Sequence, residues 1–270
     1  MFSSYLNTSF VEGITYVNTE KIILREINKA TAKDLIVKHH YTHSWTSCRY
    51  ALGIFYRGNQ EDVFGNSEQL IGCMVYGFPI GRSAVSSISE TLTNDEVLEL
   101  TRLYIHDGYG SNIESYCLGQ SFKWIREHAP KVKVLLSYAD PDHYHLGKIY
   151  QATNWLYQKD IKLVDSYELS LVDEPYDWIH SRSVVGRWGS CKIDTLKVEL
   201  GNDGHTEFWW KKISNKHRYI QIITPNRKER KLLMKNLKHP ISEYPKQLED
   251  TTKNIEHYTT ITPNTDGGFW

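Results

Sequence analysis

Apolar and polar positions alternate along the first half of the chain in short runs, and each run predicts an element. Lys21 to Glu26 (KIILRE) reads as a strand, and Lys29 to Lys38 as a helix with Ala32, Leu35 and Ile36 on one face. Tyr50 to Tyr56 and Leu70 to Phe78 read as two strands around a polar turn, an antiparallel hairpin. Val97 to Ile105 keeps a period of two, which predicts Leu98, Leu100, Arg102 and Tyr104 on one face. An Arg on a mainly apolar face calls for an anion. An internal salt bridge and a substrate contact both meet that need. Ser111-Asn112-Ile113-Glu114 has the S-x-x-E spacing of a capping box and predicts a helix to about His128, with Ile113, Cys117, Leu118, Phe122 and Ile125 as its apolar stripe.

The stretch from Leu135 to Tyr157 organises the rest. An apolar run (Val132, Val134, Leu135, Leu136) ends at Ser137-Tyr138-Ala139-Asp140, a Pro-Asp turn follows, and Leu146, Ile149, Tyr150 and Thr153 return at helical spacing. This predicts a buried strand, a tight loop and a helix packed back on the sheet. Asp140 then sits just beyond the carboxyl end of a strand, where open α/β sheets place their chemistry. Two readings fit each residue at this point: Asp140 caps the turn or acts, and Tyr150 fills the core or acts.

Beyond Glu174 the pattern changes. His180 to Gly189 is basic, aromatic and Gly-bearing with little helix or strand period. A polar linker, Gly201 to Thr206, precedes Trp209-Trp210-Lys211-Lys212. Ile220 to Thr224 reads as a strand, and Pro225 to Leu237 as a basic helix with Leu232, Leu233 and Leu237 as its apolar side. Residues 249–270 are rich in Thr and Asn and are expected to be mobile. The organisation expected is therefore a core over 1–174, a basic C-terminal region over 175–248 that completes the fold and binds DNA, and a mobile tail.

Charge sharpens this picture. The chain of 270 residues has a net charge of zero, yet Lys211 to Lys238 holds ten Lys or Arg against one acid, Glu229. Such a run is either a solvated helix face or a polyanion contact. The four Cys contain no C-x-x-C pair, which argues against a zinc ribbon or a disulfide scaffold. No signal peptide and no apolar stretch of membrane length is visible, so a soluble, cytoplasmic protein with no membrane partner is expected.

Three imidazoles fall within His39-His40-Tyr41-Thr42-His43. His39 and His43 are spaced i and i+4, which chelates a metal if the segment is helical. No H-E-x-x-H is present, which excludes the metalloprotease pattern. An exposed polar helix end is the other reading.

The segment Leu100 to His128, with the later Gly147-Lys148-Ile149-Tyr150-Gln151, resembles the GCN5-related acyltransferase fold. There a helix N-terminus cradles a pyrophosphate. The usual basic-or-Gln, Gly-x-Gly loop is absent here, and Glu114 adds a repelling carboxylate, so coenzyme A is a doubtful donor. The His40-Tyr41 cluster, the Ser137 to Tyr157 block, His180 to Val185 and Lys216-His217-Arg218-Tyr219, taken in order, are similar to the Mom family of phage DNA-modification proteins.

That resemblance implies an α/β, GNAT-like single domain with a mixed central sheet, flanking helices and a basic C-terminal extension. It further implies conversion of adenine in DNA to its N6-carbamoylmethyl (methylcarbamoyl) derivative, protecting phage DNA against host restriction. The implied site is His40, Tyr41, Asp140 and Tyr150, linked to iron as cofactor, with Arg102 and Ser115 holding the donor. The partner expected is double-stranded DNA with a flipped adenine, held by Arg182, Arg187, Lys211, Lys212, Lys216 and Arg218. Trp188, Trp209 or Trp210 would fill the gap or stack a base. A homodimer is one expected assembly. An acetyl-coenzyme A-dependent N-acetyltransferase and a non-enzymatic DNA-binding antirestriction protein are the alternatives.

Overall fold

Residues 16–58, 67–81, 83–141, 145–159, 166–213, 215–247 and 255–261 are described by the structure, a computed structural model. In chain order the elements are β1 (Ile22–Glu26), α1 (Lys29–His39), β2 (Tyr50–Arg57), β3 (Glu68–Gly77), β4 (Val97–Ile105), α2 (Ile113–His128) and β5 (Val134–Ala139). Then come α3 (Lys148–Ala152), β6 (Leu156–Gln158), β7 (Ser166–Ser170), β8 (Ile179–His180), α4 (Ser181–Trp188) and α5 (Ile193–Asn202). Last are β9 (Glu207–Ile213), β10 (His217–Ile222), α6 (Arg227–Lys235) and β11 (Ile255–Thr259).

Contacts divide the chain into two units: Met1–Ala139 with Gly147–Ile161 and Arg218–Tyr244, and Asp140–Leu146 with Lys162–His217 and Pro245–Trp270. The first carries a seven-stranded sheet in the order β1-β2-β3-β4-β5-β10-β6. β1 to β4 pair antiparallel, including the expected β2–β3 hairpin, and β4 pairs parallel with β5. Helices lie on its faces, so this is the expected α/β plan with a mixed sheet. On one face, Cys117, Leu118, Phe122 and Ile125 of α2 pack with Leu98, Leu100 and Leu135. On another, Ala32 and Ile36 of α1 pack with Ala51, Cys73 and Val75. Leu233 of α6 covers Val134, Leu136, Ile220 and Ile222.

Two local rules are broken, each for a visible reason. The register of β3 and β4 shifts: Tyr76 opposes Leu100 while Val75 opposes Arg102, which leaves Thr101 as an extra residue. That bulge reverses the alternation. Leu98 and Leu100 face α2, whereas Tyr104 packs against the α1 cluster. Arg102 therefore does not share the apolar face of Leu98 and Leu100. The capping box also fails to form. Ser111 is held in a parallel bridge to Tyr16, and Asn112 takes the cap position in a left-handed conformation (φ 67°) with no side-chain cap bond.

The second unit has its own four-stranded sheet, ordered β11-β9-β7-β8, with α4 and α5 packed on it. Ser181 to Trp188, which show little period in sequence, form α4. The His180 side chain accepts from the Arg182 amide at 3.1 Å, Val184 and Trp188 turn inward one helical turn apart, and Gly189 ends the helix at φ 73°. Ile255–Thr259, inside the stretch expected to be mobile, pair with β9 as strand β11. Trp188, Trp209 and Trp210 are all buried. Burying a side chain of that size stabilises by about 1.5–3 kcal/mol, so none of the three projects as a wedge for the DNA stack. Among the described residues, no helix is long and apolar enough to cross a membrane.

Candidate functional site

Ser137 interrupts the buried run of β5 with a hydroxyl, and that hydroxyl meets a phenol. Its proton is shared between the Tyr150 phenol oxygen at 2.8 Å and the Leu100 carbonyl at 3.0 Å. Gly147, in a left-handed conformation (φ 73°), starts α3 and swings Tyr150 back onto the sheet. Tyr150 is 8% exposed. Burial pushes its phenol up to about 12, the Ser137 hydrogen bond pulls the other way, and Tyr41 and Glu99 add to the rise. Tyr150 is thus a neutral phenol across the physiological range.

α1 ends at His40, whose extended backbone turns the chain away from the helix. The His40 ring stacks on Tyr41 with centroids 4.3 Å apart. Its Nδ1 accepts from the Thr42 backbone N–H at 3.1 Å, with the Thr42 hydroxyl at 2.9 Å. An N–H can only donate, so the proton of the neutral imidazole sits on Nε2. Because the helix stops at His39, the i, i+4 pair does not chelate. His39 stacks on Tyr104, and the His43 ring lies 3.0 Å from the Val37 carbonyl through Nδ1.

Arg102, redirected by the Thr101 bulge, is half-buried. Its Nε donates to the Ser44 carbonyl at 3.2 Å, Nη2 to the Ser44 hydroxyl at 3.0 Å and Nη1 to the Thr101 carbonyl at 2.7 Å. Burial lowers the guanidinium from its ordinary value, while Tyr41 and Glu99 raise it. Tyr41 thus acts electrostatically on both Arg102 and Tyr150, which places three of the expected residues in one neighbourhood. Ser115 lies in the first turn of α2, where its hydroxyl donates to the Asn112 carbonyl at 3.0 Å. Asp140, in the other unit, follows directly on β5 and pairs with Lys216 at 3.1 Å. Sequence reasoning did not single out Ser44 or Thr42 within the polar cluster. Hydroxyl residues flanking a helix end were the available signal.

The basic residues have different fates. Arg182 and Arg187 are exposed along α4, with Arg187 over the Trp188 ring at 5.4 Å, and Lys212 is exposed on β9. Lys211 pairs with Glu168 at 2.8 Å and lies over the Trp178 ring at 4.1 Å. Arg218 stands apart from the expected DNA-facing set because it is buried, 1% exposed, on β10 of the sheet unit.

Iron needs several free lone pairs converging on one point. The hydrogen bond that His40 Nδ1 accepts leaves its proton on Nε2, and burial keeps the Tyr150 phenol protonated. Among the described residues no three His, Cys, Asp or Glu side chains gather as a metal site. The implied donor set does not fit a metal as these side chains stand, and no step below runs through one.

Several known proteins are similar to this chain. Among solved structures, NAA60 of Arabidopsis thaliana in complex with acetyl-CoA has a TM-score of 0.42 at 10% identity, covering 74% of this chain and 99% of that one. The spermidine/spermine N-acetyltransferase SpeG of Vibrio cholerae has a TM-score of 0.38 at 8% identity, covering 76% and 94%. In sequence, the methylcarbamoylase mom of Escherichia phage Mu is 24% identical over 218 residues, 80% of each chain. A model described as the Mom protein family matches residues 21–246, a span that holds the whole seven-stranded sheet and every candidate residue named above. This chain belongs to the Mom protein family.

Proposed function

We propose that this protein is a DNA-modifying transferase that places a carbamoylmethyl (methylcarbamoyl) group on the exocyclic amine of adenine in DNA, protecting phage DNA from host restriction. One observation carries the reading: the family match spans Tyr41, Arg102 and Tyr150 in order, and these three share one electrostatic neighbourhood in the fold.

The chemistry asks for groups of this kind. The adenine amine is a weak nucleophile, because its lone pair is delocalised into the ring, and it gains acidity only as the new N–C bond forms. The base must leave the stack to be reached, at a cost of about a few kcal/mol. Tyr150, kept neutral by burial, is a hydrogen-bond donor for the oxygen of the transferred amide or for the leaving group. Tyr41, half-exposed at 48%, is placed to lie against the extruded base. Asp140 is the acceptor for the proton the amine sheds, with Lys216 neutralising it beforehand. Arg102 holds the loop from His40 to Ser44 in shape through both atoms of Ser44.

Mass spectrometry of nucleosides digested from the DNA of cells expressing the protein tests this, beside a Tyr150→Phe control. A deoxyadenosine carrying a carbamoylmethyl group, lost in the control, is the expected result. An acetyl adduct would replace the reaction with acetyl transfer. Unmodified DNA from folded, DNA-bound protein would replace it with protection by occupancy.

A further inference from the structure

Arg218 is the largest charged side chain enclosed in the sheet unit, and its hydrogen bonding is lopsided. Nη1 donates to the Ser87 hydroxyl at 2.9 Å, and Ser87 in turn donates to the Ala84 carbonyl at 2.8 Å. That short chain fixes the plane of the guanidinium. Nε and Nη2 are buried and have no partner. These two atoms form the side-on edge with which a guanidinium takes both oxygens of a carboxylate or phosphate.

A second group faces the same space. β10 and β6 pair antiparallel with Arg218 directly opposite Gln158, so both side chains stand on one face of the sheet at neighbouring positions. Gln158 is 1% exposed, its Nε2 donates to the His239 carbonyl at 2.9 Å, and its Oε1 has no partner. Two donors and one acceptor are therefore enclosed together. The titratable groups that act on Arg218 or feel its charge are Tyr138 and His239. Burial pushes the Tyr138 phenol up and, together with Arg218 and Lys238, pushes the His239 imidazole down, so both are neutral near pH 7. No carboxylate acts on the guanidinium. Buried charges are ordinarily paired.

The contrast with Arg102 decides the role. The same edge of Arg102 is filled by the carbonyl and hydroxyl of Ser44. Of the two buried arginines, only Arg218 keeps that edge open.

We infer that Arg218 and Gln158 form an enclosed site for a small oxyanion that carries its own hydrogen-bond donor. Two anion oxygens take Arg218 Nε–H and Nη2–H, and the N–H or O–H of the ligand meets Gln158 Oε1. Hydrogen phosphate has this pattern, and so does an α-hydroxy or α-amino carboxylate. The inference stands apart from the transfer reaction, since it concerns binding alone.

Thermal melts of the full chain in phosphate, glycolate, acetate and chloride at matched ionic strength test it. The midpoint should rise with the logarithm of phosphate or glycolate concentration above the chloride baseline. Phosphate acting alone would mark a phosphoryl ligand, and glycolate acting alone a carboxylate. Acetate, which has the oxyanion without the donor, should bind about tenfold more weakly than glycolate. Arg218→Lys keeps the charge without the fork and should lose the response. If that variant does not fold, Gln158→Glu serves instead: an internal carboxylate opposite Arg218 should raise the midpoint without ligand and abolish the response. Wild-type protein indifferent to both phosphate and glycolate would overturn the inference, as would a folded Arg218→Lys that responds like wild type.

Discussion

The Ser137 hydroxyl lies 2.8 Å from the phenol oxygen of Tyr150, and it joins the end of β5 to α3 where both are buried. The pair sets what Tyr150 can do. A phenol raised to about 12 has no basic form to offer at neutral pH, but it keeps its proton available for donation. Tyr150→Phe removes that proton and leaves the ring contacts with Trp155 and Tyr219 in place. We expect adenine modification to fall by about 10²-fold or more, the range for a lost proton donor, with a stability loss of only about 1 kcal/mol. Nucleoside mass spectrometry and urea melts read the two separately.

The same burial makes a prediction about alkaline pH. Tyr150 and Tyr219 are both raised to about 12, against about 10 for a phenol in an unfolded chain. Their folded pKa lies above the unfolded one. The stability they support is therefore fully present below about pH 10 and is lost as pH rises towards 12. Urea midpoints should be level between pH 7 and 9 and fall steeply above 10. Tyr150→Phe should flatten that fall, and an identical slope in the variant would contradict the burial argument.

Most of the sheet unit is legible in the sequence. The alternation of β2, β3 and β4 and the stripe of α2 are set by local burial, and they fall within a few residues of where the pattern puts them. What escapes is governed by partners far along the chain. The Thr101 bulge depends on the register against β3, so a strict period of two misplaces Arg102. The cap at Asn112 depends on Tyr16, nearly a hundred residues earlier. Lys211 and Arg218 read as one basic run, but β9 and β10 belong to different sheets, and the two cations end against different partners. At the site, the residue types at His40, Tyr41 and Tyr150 were visible. The hydroxyls that orient them, Thr42 and Ser137, carry no sequence signature beyond polarity.

Gly147 shows how tightly Tyr150 is placed. Its φ of 73° is in the left-handed region, and a Cβ there would collide with the Tyr219 ring. Gly147→Ala should cost about 1–3 kcal/mol and shift α3, which starts at the next residue. A lower Tm together with a changed near-ultraviolet tyrosine signal is expected. Wild-type values in both would mean that α3 tolerates the displacement.

Arg102 reaches Ser44 through two guanidinium atoms, a contact a point charge does not reproduce. Arg102→Lys should therefore behave nearly as badly as Arg102→Ala in the modification assay, each down about 10²-fold, the penalty for a site displaced by about an ångström. Ser44→Ala removes one of the two contacts and keeps the backbone carbonyl, so its loss should be several-fold smaller. Full activity in Arg102→Lys would show that charge alone suffices.

The last prediction concerns DNA. Arg182 and Arg187 are exposed on α4 and form no ion pair with another described residue, whereas Lys211 is held by Glu168 and Trp178. If α4 lies against the phosphates, each arginine removed releases one fewer counterion, and the slope of log K against log salt falls by about 0.9 per contact. The double variant Arg182→Ala/Arg187→Ala should lower the slope by close to twice that, with weaker binding to every duplex sequence alike. Lys211→Ala should leave the slope unchanged, because its charge is already neutralised, although loss of its packing against Trp178 could lower the melting temperature. Fluorescence anisotropy with a labelled duplex at four salt concentrations separates these outcomes. A slope moved by Lys211→Ala and not by the α4 pair would place the DNA on the sheet of the second unit instead.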